Sequence, residues 1–482
     1  MNETEVGYVI NSGNYLAYID GLPSIKIHEL VKSESGVTGL VNALLPNYVE
    51  VFLLNEGAVS PKTLFRRTQE DLSIPVGEFL LGRAINSLAI PIDGKGLLKT
   101  SKIEQKMKVY QTPRGMEARE FINQQFITGI SLIDSLLPIG KGQRELVIGD
   151  GNSGKSRFLT NIVINQKGNN VICIYAAIGK PATAILDFIN VLRINKAFPY
   201  TVVVASSSTE PTPLILLTPS AAFTIAEYFQ SKGHDVLVIL DDMSIHAKVY
   251  REISLLGNRP PGRESYPGDV FYQQAHLLER GGNFTDKFGG GSITTLPVME
   301  INLNDFTGFI PTNLMSTTDG HLLFRSNLYN KNQRPAVDIS LSVSRVGRQT
   351  QTVVTNLISH RIRQVLARAT QLETLSRFSS ELPSETQLIL RQKTLIEELL
   401  RQEDLTYVPL PLQAILLGLV FTSFLKEKND AFVRKNKQAL INSFTTEQRL
   451  AKIPQAVPKL KNDIELIALL EQVSPVLNEL FI

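Results

Sequence analysis

Short segments of alternating apolar and polar residues, separated by turns, run through the first part of the chain. Val6-Gly-Tyr-Val-Ile10, Tyr15-Leu-Ala-Tyr-Ile19 and Val49-Glu-Val-Phe-Leu53 are rich in β-branched and aromatic residues, and Gly13, Asp20-Gly21 and Asn55-Glu-Gly57 punctuate them. This spacing predicts a small N-terminal β-barrel over residues 1–73. Tyr8, Tyr15, Tyr18, Tyr48 and Phe52 fall on these strands and are expected in the barrel core. From residue 74 to 351 the pattern changes. Glu145–Ile148, Val171–Tyr175, Thr201–Val204 and Val236–Leu240 are near-continuous apolar runs with amphipathic stretches between them. Runs of that kind suit parallel strands covered on both faces, which predicts a central α/β domain. Over residues 352–482 the apolar positions take helical spacing, as in 358–375 and 386–401, and Pro383, Pro409 and Pro411 mark breaks between helices. The fold class read from the pattern is multidomain α+β: barrel, α/β core, helical C-terminal domain.

A chain of 482 residues is long enough for two or three cores. Its 49 basic and 46 acidic side chains nearly cancel, leaving +3, so it lacks the clustered excess of a dedicated nucleic-acid binder. Cys173 is the only cysteine and stands inside an apolar run. An intrachain disulfide is therefore impossible, and a buried, inert thiol is the expected state. The longest apolar stretch, Ala414 to Leu425, is shorter than the ~20 residues a membrane span needs and reads as a buried helix. The first residues show no basic start leading into an apolar core.

The chemistry is concentrated in Gly149-Asp150-Gly151-Asn152-Ser153-Gly154-Lys155-Ser156, which fits G-x-x-x-x-G-K-[ST] and runs on into Arg157. Glycines let such a loop curl until its N–H groups face phosphate oxygens, and the helix that follows adds its positive end. Lys155 is expected on the β and γ phosphates of ATP or ADP, and the Ser156 hydroxyl on Mg²⁺. The loop follows an apolar strand and opens a helical pattern, the context the motif requires. Asp241 ends the strand Val236–Leu240, where a carboxylate can hold Mg²⁺ through water; standing alone it would read as a helix cap. Asp242 is expected to make local hydrogen bonds. A hydrolytic site also needs a group that polarises water, often an acid just past the strand expected beside the phosphate-loop strand. Taking that strand as Val171–Tyr175, the place is held by Lys180, whose ammonium cannot act as a base.

Longer segments carry a resemblance. Gly142-Gln-Arg-Glu-Leu-Val-Ile-Gly149, Arg259-Pro-Pro-Gly-Arg-Glu-Ser-Tyr-Pro-Gly-Asp-Val-Phe-Tyr272 and Ser342-Val-Ser-Arg-Val-Gly347 are similar to the alpha subunits of F-type ATP synthases. Pro75–Arg83, Pro311–Leu314 and Thr318–Gly320 resemble them too. The resemblance implies a rotary ATPase subunit that holds Mg–ATP without turning it over. It implies a ring of three alpha and three catalytic beta subunits around a central-stalk gamma subunit, a peripheral stalk, and a membrane sector contacted indirectly. That places the chain at the cytoplasmic face of the cell membrane, or the equivalent face of an organelle membrane. Arg345 matches the arginine that reaches into the neighbouring beta site as an arginine finger. Arg334-Pro335 resembles the adenine-side segment, and Gln402 the first of two glutamines near the base. The run from Gly257 to Gly268 and the segment Phe378–Leu382 resemble parts that face the central stalk.

Three departures accompany the resemblance. Gly151-Asn152-Ser153 stands where the family usually has Arg-Gln-Thr, removing two long side chains from the phosphate loop. Lys180 stands where glutamine is usual, which adds a charge contact for a γ-phosphate. The first predicted strand begins at Val6, where the family carries a preceding helical extension that anchors the peripheral stalk. The second glutamine is also not evident in Glu403–Pro409. Two other functions share the phosphate loop. A self-sufficient ATPase needs an acid near Lys180, and an RNA translocase of the transcription-termination type needs exposed aromatic and basic residues on its barrel.

Overall fold

The computed structural model describes residues 5–98, 105–301, 305–376 and 383–481. The stalk-facing segment expected at Phe378–Leu382 lies outside the described residues. Two compact units divide the chain: Met1–Phe121, Gly142–Gly151 and Gln166–Asp319 form the first, and Ile122–Lys141, Asn152–Asn165 and Gly320–Ile482 the second.

In the first unit, β1 (Val6–Gly13), β2 (Leu16–Asp20), β3 (Glu29–Ser33), β4 (Thr38–Leu44), β5 (Val49–Leu53) and β6 (Leu64–Asp71) close into an antiparallel barrel in the order β1-β2-β5-β4-β3-β6. Alternation sends Val9, Ile19, Val31, Val41, Val51 and Phe65 into its core. The same alternation corrects the expectation for the tyrosines. Tyr8 sits between inward-facing neighbours and is 56% exposed, Tyr48 is 37% exposed, and Tyr15 and Tyr18 are half-buried. Of the five aromatics, Phe52 alone is buried. Tyr18 and Tyr48 meet edge to face at 5.2 Å on the outer wall.

The same unit holds a parallel sheet whose order is Glu145–Asp150, Ser292–Ile301, Asp235–Asp241, Val171–Lys180, Thr201–Ser207 and Ala84–Ile85. Its strands are the buried Val/Ile/Leu runs seen in the sequence, with helices such as α4 (Thr212–Ser231) packed on it. The strand Val171–Lys180 is not the neighbour of the phosphate-loop strand, as the sequence reading supposed. Ser292–Ile301 and Asp235–Asp241 lie between them.

The second unit is mainly helical. Its helices include α1 (Ser131–Leu136), α2 (Lys155–Asn165) and the C-terminal series Val353–Ser376, Ser384–Leu400, Leu410–Leu419, Asp430–Thr446 and Asp463–Leu480. Pro383 and Pro409 stand at N-caps, where the missing N–H costs nothing. The apolar stretch Ala414–Leu425 is buried but broken, with a helix ending at Leu419 and a short one at Ser423–Lys426. Among the described residues no helix is long and apolar enough to cross a membrane. Barrel, α/β core and helical domain thus follow one another along the chain as expected.

Candidate functional site

The phosphate loop leaves the strand Glu145–Asp150 and enters α2 at Lys155. Asn152 and Gly154 take positive φ, 56° and 92°, the left-handed turns that curl such a loop. Gly149–Gly151 belongs to the first unit and Asn152–Arg157 to the second.

In the first unit, Gly149 is in register with Glu300 on the adjacent strand, and a Cβ on Gly151 would stand 3.0 Å from the Glu300 carboxylate. A side chain at 151 would need the exposed Glu300 carboxylate to shift by a few tenths of an ångström. Asp241 ends its strand with its side chain buried, and both of its oxygens are engaged. Lys180 Nζ lies 2.7 Å from Oδ1, and the Tyr175 hydroxyl donates to Oδ2 at 2.5 Å. A register shift at Ile178/Lys180, with Gly179 at φ 60°, aims Lys180 toward Asp241. Burial opposes the Lys180 charge, but the Asp241 carboxylate outweighs it and raises the lysine above its ordinary pKa. Lys180 is therefore an ammonium. Asp242 caps α5 (Met243–Leu256), accepting from Ser244 N at 2.6 Å and Ser244 Oγ at 2.7 Å. Burial raises its pKa, with the Ser244 bonds working against that.

In the second unit, Lys155 is buried near Ser153 Oγ at 3.5 Å, while the Ser156 side chain is exposed at the start of α2. Arg157 is exposed and pairs with Asp404 at 3.0 Å. A pocket beside the start of α2 is lined by Gly154, Phe158, Tyr329, Arg334, Pro335 and Gln402. The Arg334 guanidinium stacks over the Tyr329 ring at 3.5 Å and donates to Tyr329 O at 2.7 Å. This brings the expected base-side residues Arg334, Pro335 and Gln402 together with the first turn of α2.

Arg345 follows the two-residue strand Val343–Ser344, which pairs with Gly320–Phe324 in the same unit. The turn that carries it is tied down: Ser344 Oγ donates to Pro138 O at 2.6 Å, and Thr350 Oγ1 to Gly347 O at 2.6 Å. Arg345 itself is exposed, and among the described residues no carboxylate pairs with it. Burial lowers the pKa of nearby His321, its bond to Leu341 O opposes this, and the Arg345 charge adds to the lowering.

Comparison with known proteins covers most of this chain. Residues 129–344 match the nucleotide-binding domain of the ATP synthase alpha/beta family, and residues 351–472 match the C-terminal domain of its chains. ATP synthase subunit alpha of Metamycoplasma arthritidis is 39% identical over 456 residues, 94% of this chain and 86% of that protein. The protein of the same name from Mycoplasmoides gallisepticum is 39% identical over 450 residues, 93% of this chain and 86% of its own. That of Mesomycoplasma hyopneumoniae strain 232 is 42% identical over 401 residues, 83% and 78%.

The chain belongs to the alpha subunits of F-type ATP synthases. It is thus a nucleotide-binding subunit of an ATP synthase complex. For this alpha-family chain, the sequence pattern singles out the loop, Asp241 and Arg345 as candidates, and the structure adds two groups, Glu300 and Tyr175. Glu300 is the second-last residue of the apolar strand Ser292–Ile301, and an acid close to such a strand end is the available signal. Tyr175 sat unnoticed among core residues, and its bond to Asp241 spans 66 positions. The strand Val171–Lys180 ends on no acid, yet Asp241, Asp242 and Glu300 all act on the Lys180 charge.

Proposed function

We propose that this chain holds Mg–ATP or Mg–ADP on Gly149–Ser156 without hydrolysing it and gives Arg345 to the catalytic site of a neighbouring beta subunit. The observation that carries this reading is the Lys180–Asp241 pair. The strand-end carboxylate Asp241 is bound by an ammonium and a tyrosine hydroxyl, and an ammonium can hold phosphate charge but cannot take a proton from water. Backbone N–H groups of the loop and the Lys155 ammonium neutralise the phosphates. Ser156, exposed at the start of α2, would offer its hydroxyl to magnesium. The ion supplies charge neutralisation between the phosphates when bound. Arg334 and Pro335 offer faces for the base, and Gln402 closes that end of the pocket.

Arg345 is exposed on a turn anchored at both sides, so its planar guanidinium is presented at little entropic cost. Delivered to a γ-phosphoryl group in a neighbour, it neutralises charge that develops during transfer. The proposed assembly is a three-plus-three ring with beta subunits around a central gamma stalk, joined to a peripheral stalk and indirectly to a membrane sector, at the cytoplasmic or equivalent organelle face. Purified alone, the chain should bind Mg–ATP with negligible turnover, and Lys155→Ala should abolish binding. Brisk hydrolysis by the isolated chain would overturn the reading.

One observation favours a second reading, the self-sufficient ATPase. Glu300 is exposed on the strand beside the loop strand, in register with Gly149. If it polarised water here, Glu300→Gln would remove a measurable turnover of the isolated chain. On the main reading the variant matches the parent, at background.

A further inference from the structure

In the second unit the helices Ser384–Leu400 and Asp430–Thr446 pack on one another, and a cavity of about 470 Å³ opens beside them. Its wall carries Glu398, Arg401, Glu403, Tyr407, Arg434 and Lys437. The two arginines are paired, though loosely. Arg401 meets Glu398 and Glu403 at 3.5 Å, and Arg434 meets Glu398 at 3.3 Å and Asp430 at 3.4 Å. Lys437 is half-buried and differs from both. Its Nζ donates to two main-chain carbonyls, Leu399 O at 2.5 Å and Arg401 O, and among the described residues no carboxylate pairs with it.

An ammonium has three hydrogens to donate, and the carbonyls take two. An amine that gives up the third keeps both of these bonds and gains a lone pair at the remaining position. Burial pushes the Lys437 pKa down to about 8, with Glu398 opposing, Arg401 adding to the lowering and Glu403 opposing. About a quarter of the side chain is then neutral at pH 7.5, against about 0.1% for an ordinary lysine. A desolvated, neutral lysine is a nucleophile. The arginines supply the second feature. Glu398 is 12% exposed and shared between them, so its charge is met in place. Each planar guanidinium has five donors, which leaves some for an anion entering the cavity.

Apart from the nucleotide-site reading above, we propose that Lys437 is an acylation site and that this cavity seats its acyl donor, an acyl phosphate. Such a donor joins a phosphate for Arg401 and Arg434 to a carbonyl carbon for the amine. In the reaction the Lys437 lone pair attacks that carbon, the C–N bond forms, and the bond from carbon to the phosphate oxygen breaks. Inorganic phosphate leaves, taking the amine's proton, and nothing is oxidised or reduced. The amide that results has a single hydrogen and no charge. One carbonyl bond and the cation at the end of the helix Ser384–Leu400 are lost together, so acylation unfastens that helix end from Asp430–Thr446.

The test is incubation of the full chain with acetyl phosphate between pH 6.5 and 9.5, with acetylated lysines mapped and timed by mass spectrometry. At pH 7.5 Lys437 should react about tenfold faster than the exposed Lys435 on the same helix, and its rate should level off above about pH 8.5. The ratio of its rate with acetyl phosphate to its rate with uncharged N-acetoxysuccinimide should fall at least about threefold in Arg434→Gln. Hydrogen exchange across residues 399–403 should quicken at least about threefold once Lys437 is acetylated. An unmodified Lys437, or a rate that still climbs tenfold per pH unit through pH 9, would overturn the proposal. An unchanged ratio in Arg434→Gln would overturn the seating of an acyl phosphate, and unchanged exchange would overturn the unfastening. None of these readouts depends on nucleotide, so the proposal and the nucleotide-site reading can fail separately.

Discussion

The Lys180 ammonium stands 2.7 Å from one oxygen of the Asp241 carboxylate, and the Tyr175 hydroxyl occupies the other. The strand-end carboxylate is thereby neutralised by a residue of its own sheet, and the pair keeps Lys180 an ammonium, which is no base. Lys180→Gln removes one positive charge and frees Asp241. ATP release from this chain should then be faster by roughly tenfold at low Mg²⁺, a loss of ~1.4 kcal/mol, and retention should become more dependent on the ion. Stopped-flow displacement of a fluorescent ATP analogue measures this. Unchanged release would show that Lys180 serves only the folded sheet.

Gly347 carries a second prediction. A Cβ at this position would lie 1.6 Å from Pro138 O, which is backbone and cannot turn aside. The turn bearing Arg345 must therefore shift in Gly347→Ala. ATP turnover of the assembled complex should fall at least about tenfold, because a finger displaced by an ångström loses most of its effect. Mg–ATP binding by the chain itself should not change. Full turnover in that variant would mean the anchoring on Pro138 does not position the arginine.

How much of this was legible beforehand divides along a physical line. The phosphate loop, the apolar strands and the C-terminal helices are written in local patterns, and the structure follows them. Relations across the sheet are not local. The order of parallel strands is set by crossovers, so consecutive strands need not be neighbours, and the supposed partner of the loop strand turned out to be separated from it by two others. That Glu300 stands beside Gly149 follows from this order and from no local pattern. The barrel tyrosines are the opposite case: alternation in Gly7-Tyr8-Val9 already turns Tyr8 outward, whatever its aromatic character. Gln402 is expected near the base from its motif, and the partners of its amide lie as far as 273 positions away.

The buried histidine of α5 supplies a pH prediction. Burial pushes the His246 pKa down to about 4, with a backbone bond at Leu216 only partly opposing it, and its Nδ1 has no partner. A base whose pKa is depressed on folding contributes stability above its unfolded value near 6.5, and that stability is lost as pH falls toward 4. The loss should reach about 2 kcal/mol by pH 5. In His246→Gln the unfolding midpoint, followed by calorimetry, should decline less between pH 7.5 and 5 than in the parent. Parallel declines would mean His246 does not control acid sensitivity.

The central claim is that the chain binds nucleotide for regulation and spends its chemistry elsewhere, through Arg345. The most direct measurement is ATP turnover by the assembled complex carrying Arg345→Ala, alongside Mg–ATP binding by the same variant alone. Turnover should fall by about a thousandfold, in the range arginine fingers supply, with binding to the isolated chain unaltered. Turnover that survives the substitution, or binding that is lost with it, would contradict the account.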